Sequence, residues 1–207
     1  MAKKTGKSAI PLLAAVAVAV VASIGLLLWL AENRKDNADQ PVIGGAFELV
    51  DQNGKPFTEK DLKGKYSLIY FGYTFCPDVC PTELQTMTQA LEMLGPLAKK
   101  IRPVMISVDP ERDTPEVLKE YLTNFYPGFV GLTGTPEQVR RAGQAYRVFY
   151  RKTDEKSASD YLMDHSSIVY LMDPEGRYLK HFAYGTTPEK MAEGIRKAIE
   201  KYERSAS

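Results

Sequence analysis

The stretch YFGYTFCPDVCPTEL, residues 70–84, holds both cysteines of the chain, Cys76 and Cys80, with three residues between them. Two chemistries suit so close a dithiol. One is a disulfide that opens and closes; the other is a soft-metal site, since thiolates select Cu(I), zinc and iron–sulfur. A purely structural disulfide here would close a five-residue loop and so remove little entropy from the unfolded chain. The local setting activates the sulfurs under either chemistry. YSLIYFGY (66–73) is an apolar, aromatic run that reads as a buried central strand. A helix is expected from about Pro81 to Leu94, with Leu84, Met87, Leu91 and Leu94 on one face and Gly95-Pro96 ending it. Cys80 is then expected at the helix cap, at the carboxyl end of a strand, where α/β folds gather ligands. A helix N-terminus favours anions and lowers thiol pKa.

Any third ligand has to come from far along the chain. There are two histidines. His165, in LMDHSSIVYL, stands at the start of an apolar strand 85 residues after Cys80, so only the fold can bring them together. His181, in YLKHFAYG, reads as a partly exposed strand histidine. A structural zinc site normally takes four protein ligands, and the chain offers no third cysteine. Two thiolates and one imidazole make a three-coordinate, solvent-accessible set that suits copper held for transfer better than closed zinc. Asp164 either orients His165 from outside the coordination sphere or serves as a turn aspartate, and Met163 reads as a core methionine. DPERDTPE lacks the order of a calcium loop; Asp109, which follows the strand VMISVD, either lines the same mouth as the cysteines or, the reading preferred, caps its own turn. Peroxidase chemistry on CPTE wants a Thr-x-x-Cys frame. Thr74 lies two residues before Cys76 and six before Cys80, so the frame is wrong.

The elements that must position these residues follow from patterning. AFELVDQNGKPF is a strand, a turn on Asn53-Gly54 and a return. IRPVMISVD (101–109) is the next strand. DTPEVLKEYLTNF and TPEQVRRAGQAYRV are helices that open on Thr-Pro, with Thr114 as cap and Pro115 in the first helical position of the former, and FVGLTG is a strand between them. SSIVYLMDPEGRYLKHFAYG is a hairpin joined by Asp173-Pro174-Glu175-Gly176. A last helix follows, with Met191, Ile195 and Ile199 facing the core. The alternation predicts an α/β domain: a mixed sheet flanked by helices on both faces.

The first forty residues differ in kind. Residues 1–8 carry Lys3, Lys4 and Lys7 and no acid; residues 9–30 contain no charge. At about 1.5 Å per residue that run reaches roughly 33 Å, enough for a bilayer core of about 30 Å. It ends in bulky GLLLWLAEN rather than the small residues a signal peptidase cuts. It is therefore expected to be one N-terminal transmembrane helix, with residues 1–8 cytoplasmic, a polar linker at 31–40 and an exported domain at 41–207. Lys+Arg is 27 against Asp+Glu 26, a net charge of +1, and no glycine-rich phosphate cradle is present. Nothing here proposes a nucleic-acid partner.

YFGYTFCPDVCPTEL, then ISVDPERDTPEVLKEYL, then DHSS, in that order after an apolar N-terminal run, resemble the Sco/SenC family of copper-site assembly proteins over roughly residues 41–200. The resemblance implies a thioredoxin-like fold, with Cys76, Cys80 and His165 as ligands for Cu(I) and Cu(II). It implies a copper metallochaperone that assists assembly of the binuclear copper centre of cytochrome c oxidase. Its partners would be the oxidase's copper-bearing subunit or another copper chaperone. The alternative it implies is a thiol–disulfide oxidoreductase that uses the same cysteines to reduce the copper-receiving partner. The expected location is an inner membrane, crossed once, with the domain on the periplasmic or intermembrane-space side.

Overall fold

The computed structural model describes residues 23–26, 43–153 and 161–206. The chain divides into two units, Met1–Pro41 and Val42–Ser207. Of the first, residues 23–26 are helical, and the rest of the span expected at 9–30 lies outside the described residues. Among the described residues no helix is long and apolar enough to cross a membrane.

The second unit is built on a seven-stranded sheet. Its strands are β1 (Glu48–Asp51), β2 (Pro56–Thr58), β3 (Tyr66–Gly72), β4 (Ile101–Ser107), β5 (Val130–Thr133), β8 (Ile168–Met172) and β9 (Tyr178–Ala183). A separate two-stranded ribbon pairs β6 (Tyr150–Lys152) with β7 (Met163–His165). The sheet order is β2-β1-β5-β4-β3-β8-β9. β3, β4 and β5 run parallel, while β1, β2, β8 and β9 join antiparallel. The mixed sheet expected from the sequence is thus present. All seven residues of β3 are buried. Because successive strand residues face opposite sides, the sheet centre is covered on both faces.

The helices are α1 (Val79–Leu94), α2 (Pro115–Leu122), α3 (Pro136–Ala145) and α4 (Pro188–Ala206). α1 packs on α4, α2 on β5 and α3 on β1. Met191, Ile195 and Ile199 of α4 are buried, as their spacing predicts. Thr114 and Thr135 cap α2 and α3: their hydroxyls accept from the amides of Val117 and Gln138, with proline at the first helical position of each. Pro103 sits inside β4, where a missing N–H would break a ladder on both sides. The pairing with β5 begins only at Val104, so that residue is locally at an edge.

Candidate metal centre

The cysteine loop leaves the carboxyl end of β3 and enters α1. The helix starts at Val79, two residues before the position expected from Pro81, so Cys80 lies inside its first turn and Asp78 is the cap residue. Asp78 makes no side-chain capping bond. The Cys80 amide instead donates to Cys76 Sγ at 3.4 Å. A sulfur therefore does what a cap oxygen usually does, satisfying one orphan N–H of the first turn. Gly72, at the end of β3, makes room for this: a Cβ there would lie 3.2 Å from Cys80 Sγ and 2.6 Å from Tyr70 Cε1.

Both cysteines are free thiols; Cys80 is buried and Cys76 half-buried. Their electrostatics are opposed. The Cys80 thiol donates to Cys76, and with help from His165 and the Cys80 and Asp78 amides it holds Cys76 down to about 3 against the opposing effect of burial. Cys80 is pushed up, first because it is the donor in that bond, then by burial and by the charge on Cys76. The pair is a thiolate and a thiol sharing one proton.

His165 reaches this pair from β7. Its Nε2 stands 3.3 Å from Cys80 Sγ, and its Nδ1 faces the Ser166 carbonyl at 3.4 Å. A proton on Nε2 lets the ring donate to the sulfurs, as the lowered Cys76 requires, whereas a proton on Nδ1 faces the Ser166 carbonyl and frees the Nε2 lone pair for an ion. Tyr70 and Tyr73 flank the ring edge-on, with centroids 5.9 and 6.0 Å away. The Met163 amide donates to the Tyr73 hydroxyl at 3.2 Å, tying the ribbon to the strand end beside Cys76. A cavity of about 270 Å³ opens here, lined by Tyr73, Cys76, Pro77, Val79, Met163 and His165 among others.

Among the described residues no three His, Cys, Asp or Glu side chains are already spaced around a common point for an ion. Cys80 and His165 are in mutual contact instead. Taking zinc's bond lengths as a yardstick, about 2.3 Å to sulfur and about 2.0 Å to nitrogen, donors at a trigonal angle stand roughly 3.7 Å apart. The observed contact would have to open by only about 0.4 Å to admit an ion between them. A sulfur and an imidazole nitrogen so placed are donors of the kind a soft metal takes.

Asp164 does not take the orienting position expected of it. In β7, Met163 is buried, Asp164 exposed and His165 half-buried, so the strand's period of two turns the carboxylate away from the imidazole. Asp164 pairs with Arg151 at 3.1 Å. Met163 is a core residue. His181 is exposed on β9 and bonds the Tyr178 hydroxyl. Asp109 does more than cap its turn: it is buried and receives Arg112 Nε at 2.5 Å and the Tyr161 hydroxyl at 2.7 Å. Tyr70, Tyr73, Arg112 and Asp113 also stand around the site, though none belongs to a ligand motif. The aromatic spacing of YFGY ahead of Cys76 was the available signal for the two tyrosines.

A family model described as SCO1/SenC matches residues 35–200. A SCO2-like protein of Rickettsia felis is 48% identical over 159 residues, covering 76% of this chain and 78% of the relative. Among solved structures, that of Arabidopsis thaliana ScoI with copper bound is 43% identical with a TM-score of 0.74, covering 77% of this chain and 99% of that one. A structure reporting a disulfide switch in BsSco, a member of the Sco family of cytochrome c oxidase assembly proteins, is 26% identical with a TM-score of 0.60, covering 76% and 93%. With four-fifths of the sequence inside the family's bounds and the thioredoxin-like architecture shared, this chain belongs to the SCO1/SenC family.

Proposed function

We propose that this protein is a copper metallochaperone in which Cys76, Cys80 and His165 hold one copper ion for assembly of the binuclear copper centre of cytochrome c oxidase. The ion is cargo, received from another copper chaperone or delivered to the oxidase's copper-bearing subunit. The observation that carries this reading is His165 Nε2 lying 3.3 Å from Cys80 Sγ across 85 residues of sequence. A plain dithiol reductase has no need of an imidazole on its buried sulfur, so the contact favours metal holding over the oxidoreductase reading. The copper-bound relative supports the choice of metal.

The residues divide the work. Cys76, already a thiolate, is the first donor to an arriving ion. Cys80 gives up its proton as the ion takes the place of the hydrogen bond, since ligating thiols must be deprotonated. His165 adds the nitrogen that Cu(II) favours, whereas Cu(I) is satisfied by the two sulfurs. Oxidation to a disulfide removes both thiolates and so gates loading. In this reading residues 9–30 anchor the chain in an inner membrane. The domain from residue 41 then works on the periplasmic or intermembrane-space side.

The test is an anaerobic titration of the reduced full-length chain with Cu(I) and Cu(II). One ion per chain is expected in both states, with Cys76→Ser or Cys80→Ser abolishing both and His165→Ala weakening Cu(II). Sub-stoichiometric Cu(I) binding, or a His165→Ala variant that holds Cu(II) as well as the parent, overturns the proposal.

A further inference from the structure

His165 rides on a ribbon of three residues per strand that shares no ladder with the main sheet. So short a pair is at best marginally stable alone in water, and something outside it must hold the imidazole in place. Beside the Met163 amide bond to the Tyr73 hydroxyl, the turn between β4 and α2 supplies contacts to both segments. Asp113, fully buried, accepts from Thr74 Oγ1 at 2.6 Å, from the Thr74 amide at 3.2 Å and from Ser107 Oγ at 2.6 Å. Thr74 is two residues before Cys76. Four residues earlier in the turn, buried Asp109 takes Arg112 Nε and the Tyr161 hydroxyl. Arg112 also donates to the Tyr161 carbonyl at 3.1 Å. Its guanidinium lies 3.7 Å from the Tyr161 ring centroid and 4.8 Å from that of Phe75. Phe75 precedes Cys76 by one residue, and Tyr161 precedes His165 by four. Arg112 thus touches both ligand-bearing segments at once. Glu111 adds an exposed ion pair to Lys152 of β6 at 2.5 Å, which contributes little by itself.

We propose that the turn Asp109–Thr114 is a two-armed brace that fixes the spacing between the cysteine loop and the histidine ribbon. In it Arg112 and Tyr161 are positioning residues for His165, and Thr74 and Asp113 are positioning residues for Cys76. The proposal rests on the copper reading above for its consequence, though not for its geometry. The two arms have distinguishable effects. Slackening the histidine arm weakens Cu(II), which uses the imidazole, and spares Cu(I), which needs only the thiolates. Slackening the cysteine arm weakens both ions.

Arg112→Lys keeps the charge but loses the planar fork and the stacking. It is expected to weaken Cu(II) binding by about tenfold, at the lower end of the effect of removing groups that orient a ligand, while Cu(I) stays within about twofold. Tyr161→Phe, which deletes only the hydroxyl bond to Asp109, moves Cu(II) in the same direction by less. Thr74→Val lowers both affinities together. A metal-free measurement accompanies these: amide hydrogen exchange in the reduced full-length protein. It should speed up in Arg112→Lys across 150–152 and 163–165, while β3 and β4 exchange as in the parent. Failure of the parent to bind copper sinks the functional reading and leaves the exchange result to judge the brace. Unchanged ribbon exchange in Arg112→Lys refutes the brace. So does equal loss of both ions in that variant with faster exchange throughout, since that is plain destabilisation.

Discussion

Metal-free Cys76 should react with small disulfides at a rate that is nearly flat between about pH 5 and about pH 8. The Cys80 thiol bonded to Cys76 is the largest of the causes that hold its pKa at about 3. An ordinary cysteine, with pKa about 8.5, is only about 3% thiolate at pH 7, whereas Cys76 is fully ionised there. A less basic thiolate is also a poorer nucleophile. With a Brønsted slope of about 0.45, the fall from about 8.5 to about 3 slows each thiolate by roughly 300-fold. The two effects together make Cys76 about tenfold slower than an ordinary thiol at pH 7, equal to it near pH 6 and about tenfold faster at pH 5. The assay is stopped-flow release of chromophore from a symmetrical aromatic disulfide by the reduced, metal-free protein. Cys80→Ala deletes the donor and should return the profile toward an ordinary thiol's climb of about tenfold per pH unit. A climbing profile in the parent, or a flat profile that survives Cys80→Ala, refutes the assignment of the shared proton.

Three further outcomes test the surroundings of the site. Burial raises the Glu83 carboxyl against a single opposing bond from the Gly185 amide. The native state therefore holds that proton more tightly than the unfolded chain does. The stability this contributes is complete below the ordinary carboxyl range and is lost as pH rises through the raised native value. Glu83→Gln should flatten the fall in urea midpoint as pH rises above the ordinary carboxyl range, and a fall identical to the parent's would contradict the burial effect. Gly72→Ala puts a methyl 2.6 Å from buried Tyr70 and 3.2 Å from Cys80 Sγ. It should cost about 1–3 kcal/mol by overpacking, seen as a lower Tm in thermal unfolding; an unshifted Tm would show that Tyr70 yields freely. Asp164→Ala, which breaks only an exposed pair with Arg151, should change stability by no more than about 1 kcal/mol and leave the Cu(II) absorption spectrum unaltered. A changed spectrum would return Asp164 to the orienting role it lacks here.

The parts of the fold that sequence predicted well are those governed by local rules. Thr-Pro openings fixed the starts of α2 and α3, because a hydroxyl cap and a proline lacking N–H suit the same two positions. The run YSLIYFG announced a strand buried on both faces. The start of α1 escaped because its capping acceptor is a sulfur, which no capping preference includes. The ribbon escaped because three-residue strands such as YRK and MDH are too short to show alternation, and ten residues separate them. Asp164 beside His165 looked like an orienting carboxylate only while the residues around it were read as the approach to a strand. Placed within β7, neighbours must face apart.

The meeting of His165 with the cysteines is a property of strand order, which no window of sequence contains. β8 pairs antiparallel with β3 in the register Tyr70 with Val169 and Ser67 with Met172. Continuing that register past the ladder puts Ser167 opposite Gly72 and His165 opposite Thr74. Any residue three positions ahead of β8 therefore arrives at the mouth from which the cysteine loop departs. The sequence showed the hairpin of β8 and β9 but not that β8 would lie against β3 rather than at the far edge. Had β8 and β9 exchanged places in the sheet, the same hairpin and the same DHSS would have carried the imidazole at least one strand spacing farther off, about 4.8 Å, which is beyond a single metal's span of donors. Adjacency of β8 to β3 is thus the structural condition for a third ligand, and the brace at Asp109–Thr114 refines a placement that the sheet has already made approximate.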